Sequence, residues 1–142
     1  MDDPKIKTRP TRRDELSLIL GLWDQARTLA PSVPDDEAAL AALPAQAPEA
    51  LLVAEDDGAI VGALIAAWDG WRGNMYRLAV TPASRRRGIA LELVRCGEER
   101  LRASGARRIS ALVAEADEPA ASLWHAAGYS HEENVARFVR NL

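Results

Sequence analysis

The stretch Leu78-Ala-Val-Thr-Pro-Ala-Ser-Arg-Arg-Arg-Gly-Ile-Ala90 carries the densest chemistry in the sequence. An apolar run stops at Pro82, which cannot continue a central strand. Three consecutive arginines follow, Arg85, Arg86 and Arg87, and Gly88 then opens a helical pattern in Ile89, Leu91, Leu93, Val94 and Leu101. The first amides of a helix lack internal partners and carry the positive end of its dipole. A loop that aims them at one point can cradle a phosphate or pyrophosphate. Gly88 lets a ligand approach the backbone closely, Ala90 is small enough not to block it, and the arginines add long-range attraction. Neither a Gly-Lys-Ser/Thr ending nor a full dinucleotide glycine triplet is present, which argues against a nucleotide hydrolase and a Rossmann oxidoreductase.

Such a loop needs a strand before it and a helix after it, and the remaining pattern supplies both within an α/β frame. Ile6 to Arg9 reads as a strand, and Thr11 caps a helix whose apolar residues Leu16, Ile19, Leu20 and Trp23 recur at three and four positions. Asp35 caps a weaker, alanine-rich helix interrupted by Pro44 and Pro48. Leu51 to Ala54 and Ala59 to Trp68 form a hairpin about Asp57-Gly58. Met75 to Val80 is a buried strand, the Gly88 helix ends near Ser104-Gly105, and Ile109 to Val113 is a further buried strand. A short helix, Ala120 to Ala127, precedes closing strands at Tyr129 and Val135 to Val139. The expected order is βααβββαβαββ, over one domain spanning residues 1–142.

Composition excludes several classes. The 142 residues are 48% hydrophobic and 27% charged, with a net charge of -3, as in an ordinary globular chain and unlike a disordered one. That balance offers nucleic acid no global attraction, and only the local arginine cluster could support a nucleic-acid module. No apolar run approaches the roughly 18 residues of a membrane helix, and Met1 to Pro10 lacks the apolar core of a signal peptide. The single cysteine, Cys96, forms no internal disulfide, which suits a reducing cytoplasm. His125 and His131 have no metal-ligand spacing, so no metal site is expected.

Arg85-Arg86-Arg87-Gly88-Ile89-Ala90 resembles the acetyl-CoA signature Gln/Arg-x-x-Gly-x-Gly/Ala of the GCN5-related N-acetyltransferase (GNAT) family, small bacterial members included. A second family pattern, Asn-x-x-Ala-x-x-Leu-Tyr followed by Gly-Phe, is approximated by Asp117, Ala120, Leu123, Trp124 and Gly128-Tyr129. The resemblance covers the whole chain. It implies a mixed sheet of six to seven strands with about four helices, splayed between strands 4 and 5. It places a cofactor arm against Leu78, Ala79 and Val80, and the pyrophosphate on the amides of Arg86 to Ala90. Arg85 would brace the loop or meet the adenosine phosphate, and Asp117, Ala120 and Trp124 would line the same cofactor.

The implied reaction is direct transfer of acetyl from acetyl-CoA to a primary amine of a small molecule or peptide, in a cytoplasmic enzyme, with dimerisation in keeping with the family. An amine of pKa about 10.4 must lose a proton at a cost of roughly 4 to 5 kcal/mol at neutral pH. A general base or a water chain is therefore useful, and relatives often protonate the leaving thiolate with a tyrosine on the last helix. Here that position is Trp124, whose indole is no practical acid. Tyr76, Glu115 and Tyr129 are the candidate proton-handling groups, and Trp23, Trp68 and Trp71 are candidate walls of an acceptor pocket. A non-catalytic acyl-CoA-binding sensor is the alternative that Trp124 motivates.

Overall fold

The computed structural model describes residues 5–26, 33–114 and 117–142. Five strands, β1 (Ile6–Pro10), β2 (Leu51–Asp56), β3 (Ala59–Trp68), β4 (Gly73–Val80) and β5 (Ile109–Ala111), lie in the sheet order β1-β2-β3-β4-β5. The first four are antiparallel and β5 runs parallel to β4. The β2–β3 turn forms at Asp57-Gly58 because both residues adopt positive φ, 49° and 86°, as the tight right-twisted hairpin requires.

Helices α1 (Leu16–Ala26) and α2 (Glu37–Gln46) cover one face. Their apolar residues, led by Ile19, Leu22 and Trp23, pack on Leu51, Val53, Ala63 and Ile65. Helix α3 (Ile89–Ser104) covers the other face, with α4 (Glu118–Ala126) adding Trp124 to a core of Leu52, Leu64, Met75, Leu93 and Leu101. Alternate side chains of the central strands enter the two cores, which explains why β2 and β3 read as near-continuous apolar runs. Gly97 brings α3 close to the sheet: a Cβ there would stand 2.7 Å from the Met75 Cε and 3.2 Å from the Ala66 Cβ. Among the described residues no helix is long and apolar enough to cross a membrane.

Three expectations change. The sheet has five strands rather than six to seven, because residues 130–142 form no strand and stay exposed, Phe138 at 95%. Beside β5 the alternation in Val135 to Val139 would meet an edge of three residues, too few ladder bonds to offset the entropy of ordering. The first helix is not capped by Thr11, whose N–H donates to the Leu51 carbonyl at 2.9 Å. Its start is set by a 3-10 turn, Arg13–Glu15, in which the Arg12 N–H donates to the Glu15 carboxylate at 2.7 Å. Two hydrogen bonds from Arg9, at 2.8 and 2.6 Å, also hold that carboxyl below its usual range despite burial. The cap of α2 is Asp36, which accepts the Ala39 N–H at 2.7 Å, and Pro44 lies inside the helix. Asp35 is thereby left for another partner.

Candidate active site

Strand β4 positions the site because its two edges end differently. Toward β5 it pairs only at Gly73↔Ile109, Asn74↔Ser110 and Met75↔Ala111, after which the Leu112 N–H donates to the Met75 carbonyl at 3.0 Å. Toward β3 it stays paired to its end, through Tyr76↔Ile65, Ala79↔Ala63 and Val80↔Gly62. Beyond Met75 the two parallel strands separate, and one edge of β4 is left without a strand among the described residues.

A β-bulge lies next to the point of separation. Arg77 and Leu78 together oppose Leu64, and Arg77 takes the left-handed conformation at φ 59°. A non-glycine residue there costs about 1–2 kcal/mol. The Thr81 N–H donates to the Val61 carbonyl at 2.8 Å, so strand alternation turns the Leu78 and Val80 backbone groups the other way, toward the gap.

At the end of that free edge the chain turns through Pro82–Ser84, passes Arg85 in an extended conformation, and enters α3 with Arg86 at φ 65° and Gly88 at φ 77°. Gly88 is the N-cap of α3 and no side chain caps it, leaving the first amides of the helix available to an outside acceptor. A Cβ on Gly88 would meet nothing within 4 Å, so the space beside this residue is open. Ile89, buried at 2%, anchors the helix start in the core, and Ala90 is half-buried. The chemistry fits a pyrophosphate followed by a chain able to pair with backbone.

The arginines divide their work. Arg87 donates to Asp56 at 2.8 Å and ties the loop to the end of β2. The side chains of Arg85 and Arg86 are exposed beside the cradle. Asp117 acts as the N-cap of α4, accepting the Ala120 N–H at 3.0 Å, and Ala120 is half-buried.

The proton-handling candidates are not gathered in one place. Tyr76 is half-buried on the α1 face, next to the bulge, while Tyr129 packs on the α3 face. Burial, and then a 2.8 Å hydrogen bond donated to Glu98, push the Tyr129 hydroxyl well above the usual tyrosine value. Trp124 is 6% exposed, edge-on to Tyr129 with ring centroids 4.9 Å apart. Glu115 lies outside the described residues.

The tryptophans are dispersed too. Trp23 is 4% exposed and its Nε1–H donates to the Arg77 carbonyl at 2.8 Å. Trp68 packs on the α3-side core. Trp71, 71% exposed under the Arg72 guanidinium, sits in a turn held by Asp69, which accepts the Trp71 and Arg72 N–H groups. At about 3.3 Å per residue that turn is over 20 Å along β4 from Val80. Sequence reasoning missed Arg77, although one charged residue inside the run Met75 to Val80 was a signal. Among the described residues no cluster of His, Cys, Asp and Glu could hold a metal ion.

This fold has counterparts. The acetyltransferase (GNAT) family model matches residues 19–129. An acetyltransferase of Photorhabdus laumondii is 33% identical over 132 residues, covering 92% of each chain. The aminoglycoside N-acetyltransferase AAC(6')-Iy, solved in complex with CoA, superimposes with a TM-score of 0.77 at 22% identity, over 96% of this chain and 95% of that one. A predicted acetyltransferase from Clostridium acetobutylicum, solved with acetyl-CoA, gives 0.72 at 15% identity over 94% and 96%.

Proposed function

The chain belongs to the acetyltransferase (GNAT) family, and on that premise we propose that it is an acetyl-CoA-dependent N-acetyltransferase acting on a primary amine of a small molecule or peptide. One observation carries the reading: the unpaired edge of β4 runs straight into an uncapped helix start at Gly88. The amides of Arg86 to Ala90 take the pyrophosphate, with the exposed Arg85 and Arg86 side chains adding attraction. The backbone groups of Leu78 and Val80 pair with the amide-bearing arm, and Ala79, between them, is bonded into β3. Acetyl-CoA supplies the acetyl group as a thioester.

The protein's own task is to hold the arm, admit the amine and manage one proton. Forming the free amine at neutral pH costs roughly 4 to 5 kcal/mol for a pKa near 10.4, so a nearby acceptor of that proton matters. The amine's proton leaves through water, and Tyr76, which adjoins the bulge, is the described candidate best placed to give a proton to the departing CoA thiolate, directly or through water. Tyr129 already donates to Glu98, which holds its proton away from such work. Trp124 offers no hydroxyl to protonate the leaving thiolate, which favours a second reading, a non-catalytic acyl-CoA sensor.

The two readings separate in a free-thiol assay with acetyl-CoA against amino acids, polyamines, aminoglycosides and peptide amino termini. Amine-dependent release of CoA is expected. Tight acetyl-CoA binding with no release on any acceptor favours the sensor, and absence of binding at millimolar acetyl-CoA overturns both.

A further inference from the structure

Arg77 is where three features of β4 coincide: the positive φ of 59°, the register shift against β3, and the end of pairing with β5. An arginine left to itself prefers an extended conformation, and in that conformation the bulge is lost. Contacts from two distant segments oppose that relaxation. The indole Nε1–H of Trp23, on α1, donates to the Arg77 carbonyl at 2.8 Å. The Arg77 guanidinium makes two hydrogen bonds to Asp35, at 2.9 and 2.7 Å, just before α2. It also lies 5.3 Å from the centroid of the Trp23 ring. The backbone and the side chain of one strained residue are thus gripped separately, and Trp23 takes part in both contacts.

A bulge serves the neighbouring edge only if it stays formed. Slipping back by one residue reverses the direction of every following backbone group, so that Ala79 would face the gap in place of Leu78 and Val80. We propose that Trp23 and Asp35 are positioning residues that latch Arg77 in its left-handed conformation and so keep the Leu78 and Val80 backbone groups turned toward the gap. The benefit to cofactor binding rests on the acetyl-CoA reading above; the latch itself does not. Trp23, expected from sequence as a pocket wall, acts through the strand it holds.

Trp23→Phe removes the N–H donor and keeps an aromatic ring in the core. The test combines relaxation-dispersion NMR of the free protein with calorimetry using CoA. In Trp23→Phe, microsecond-to-millisecond exchange is expected to appear at Tyr76 to Val80, absent from Gly73 to Met75, and CoA affinity to fall about tenfold. Asp35→Asn, at a half-buried position outside the core, is expected to give the same pattern at about threefold. Arg77→Gly placed in the Trp23→Phe background restores CoA affinity to within about threefold of wild type, because glycine adopts positive φ freely. A general loss of packing would instead broaden both halves of β4 and gain nothing from glycine. Unchanged dynamics at Tyr76 to Val80 in both single variants overturns the latch. If wild-type protein fails to bind CoA while the variants mobilise those residues, the latch stands and the cofactor reading falls.

Discussion

The two halves of β4 share one strand and differ in their neighbours. Gly73 to Met75 has a partner on each side, and Met75 is fully buried where α3 passes over the sheet. Among the described residues Leu78 to Val80 pairs with β3 alone, and its other edge opens toward the loop that starts α3. The first half is fixed by packing and pairing; the second has backbone donors and acceptors to offer a ligand. A single left-handed residue, Arg77, divides them. On the proposed reading the capacity to bind a cofactor comes from pairing withheld, and the left-handed Arg77 beside it is contacted from α1 and from the segment before α2.

The largest effect that would sharpen this contrast is Met75→Ala. Truncation in the doubly paired half should lower unfolding stability by about 2–5 kcal/mol, as for other fully buried side chains, measured by urea denaturation. CoA affinity under native conditions should change less than threefold. Loss of affinity without loss of stability would mean that the first half takes part in binding. A smaller effect of the opposite kind is expected at the open end. Gly88→Val introduces a β-branched residue at φ 77°, a strain of about 1–2 kcal/mol at the start of α3. CoA affinity should fall at least tenfold, with a modest drop in the melting temperature. Unchanged affinity would remove the cradle from the account.

How much of this was legible in sequence follows from the range of the interactions. The loop was readable because its signals are local: Pro82 ends the strand, Gly88 starts a helix, and both lie beside the arginines. The hairpin at Asp57-Gly58 was readable for the same reason. The bulge was not, since Arg77 is held by Trp23 and Asp35, 54 and 42 residues away. Nothing in the local sequence around Gly97 marks the Met75 side chain that lies against it. The opposite error arose at Val135 to Val139, where alternation promised a strand that β5 is too short to template. Asp35 looked like a helix cap, and capping passed to Asp36 because Asp35 has a stronger, charged partner. Tyr76, within the β4 run, and Tyr129, after the last helix, are candidates by their place along the chain, which does not say that their side chains lie on opposite faces of the sheet.

The central claim is that CoA binds along the unpaired half of β4 and onto the start of α3. Titration of isotope-labelled protein with CoA, followed through backbone amide chemical shifts, tests it most directly. The account predicts saturable shifts largest at Leu78, Val80 and Arg86 to Ala90, with Gly73 to Met75 little moved. Saturation with the largest shifts at Gly73 to Met75 or on a surface remote from Gly88, or no saturable shift at millimolar CoA, would contradict it.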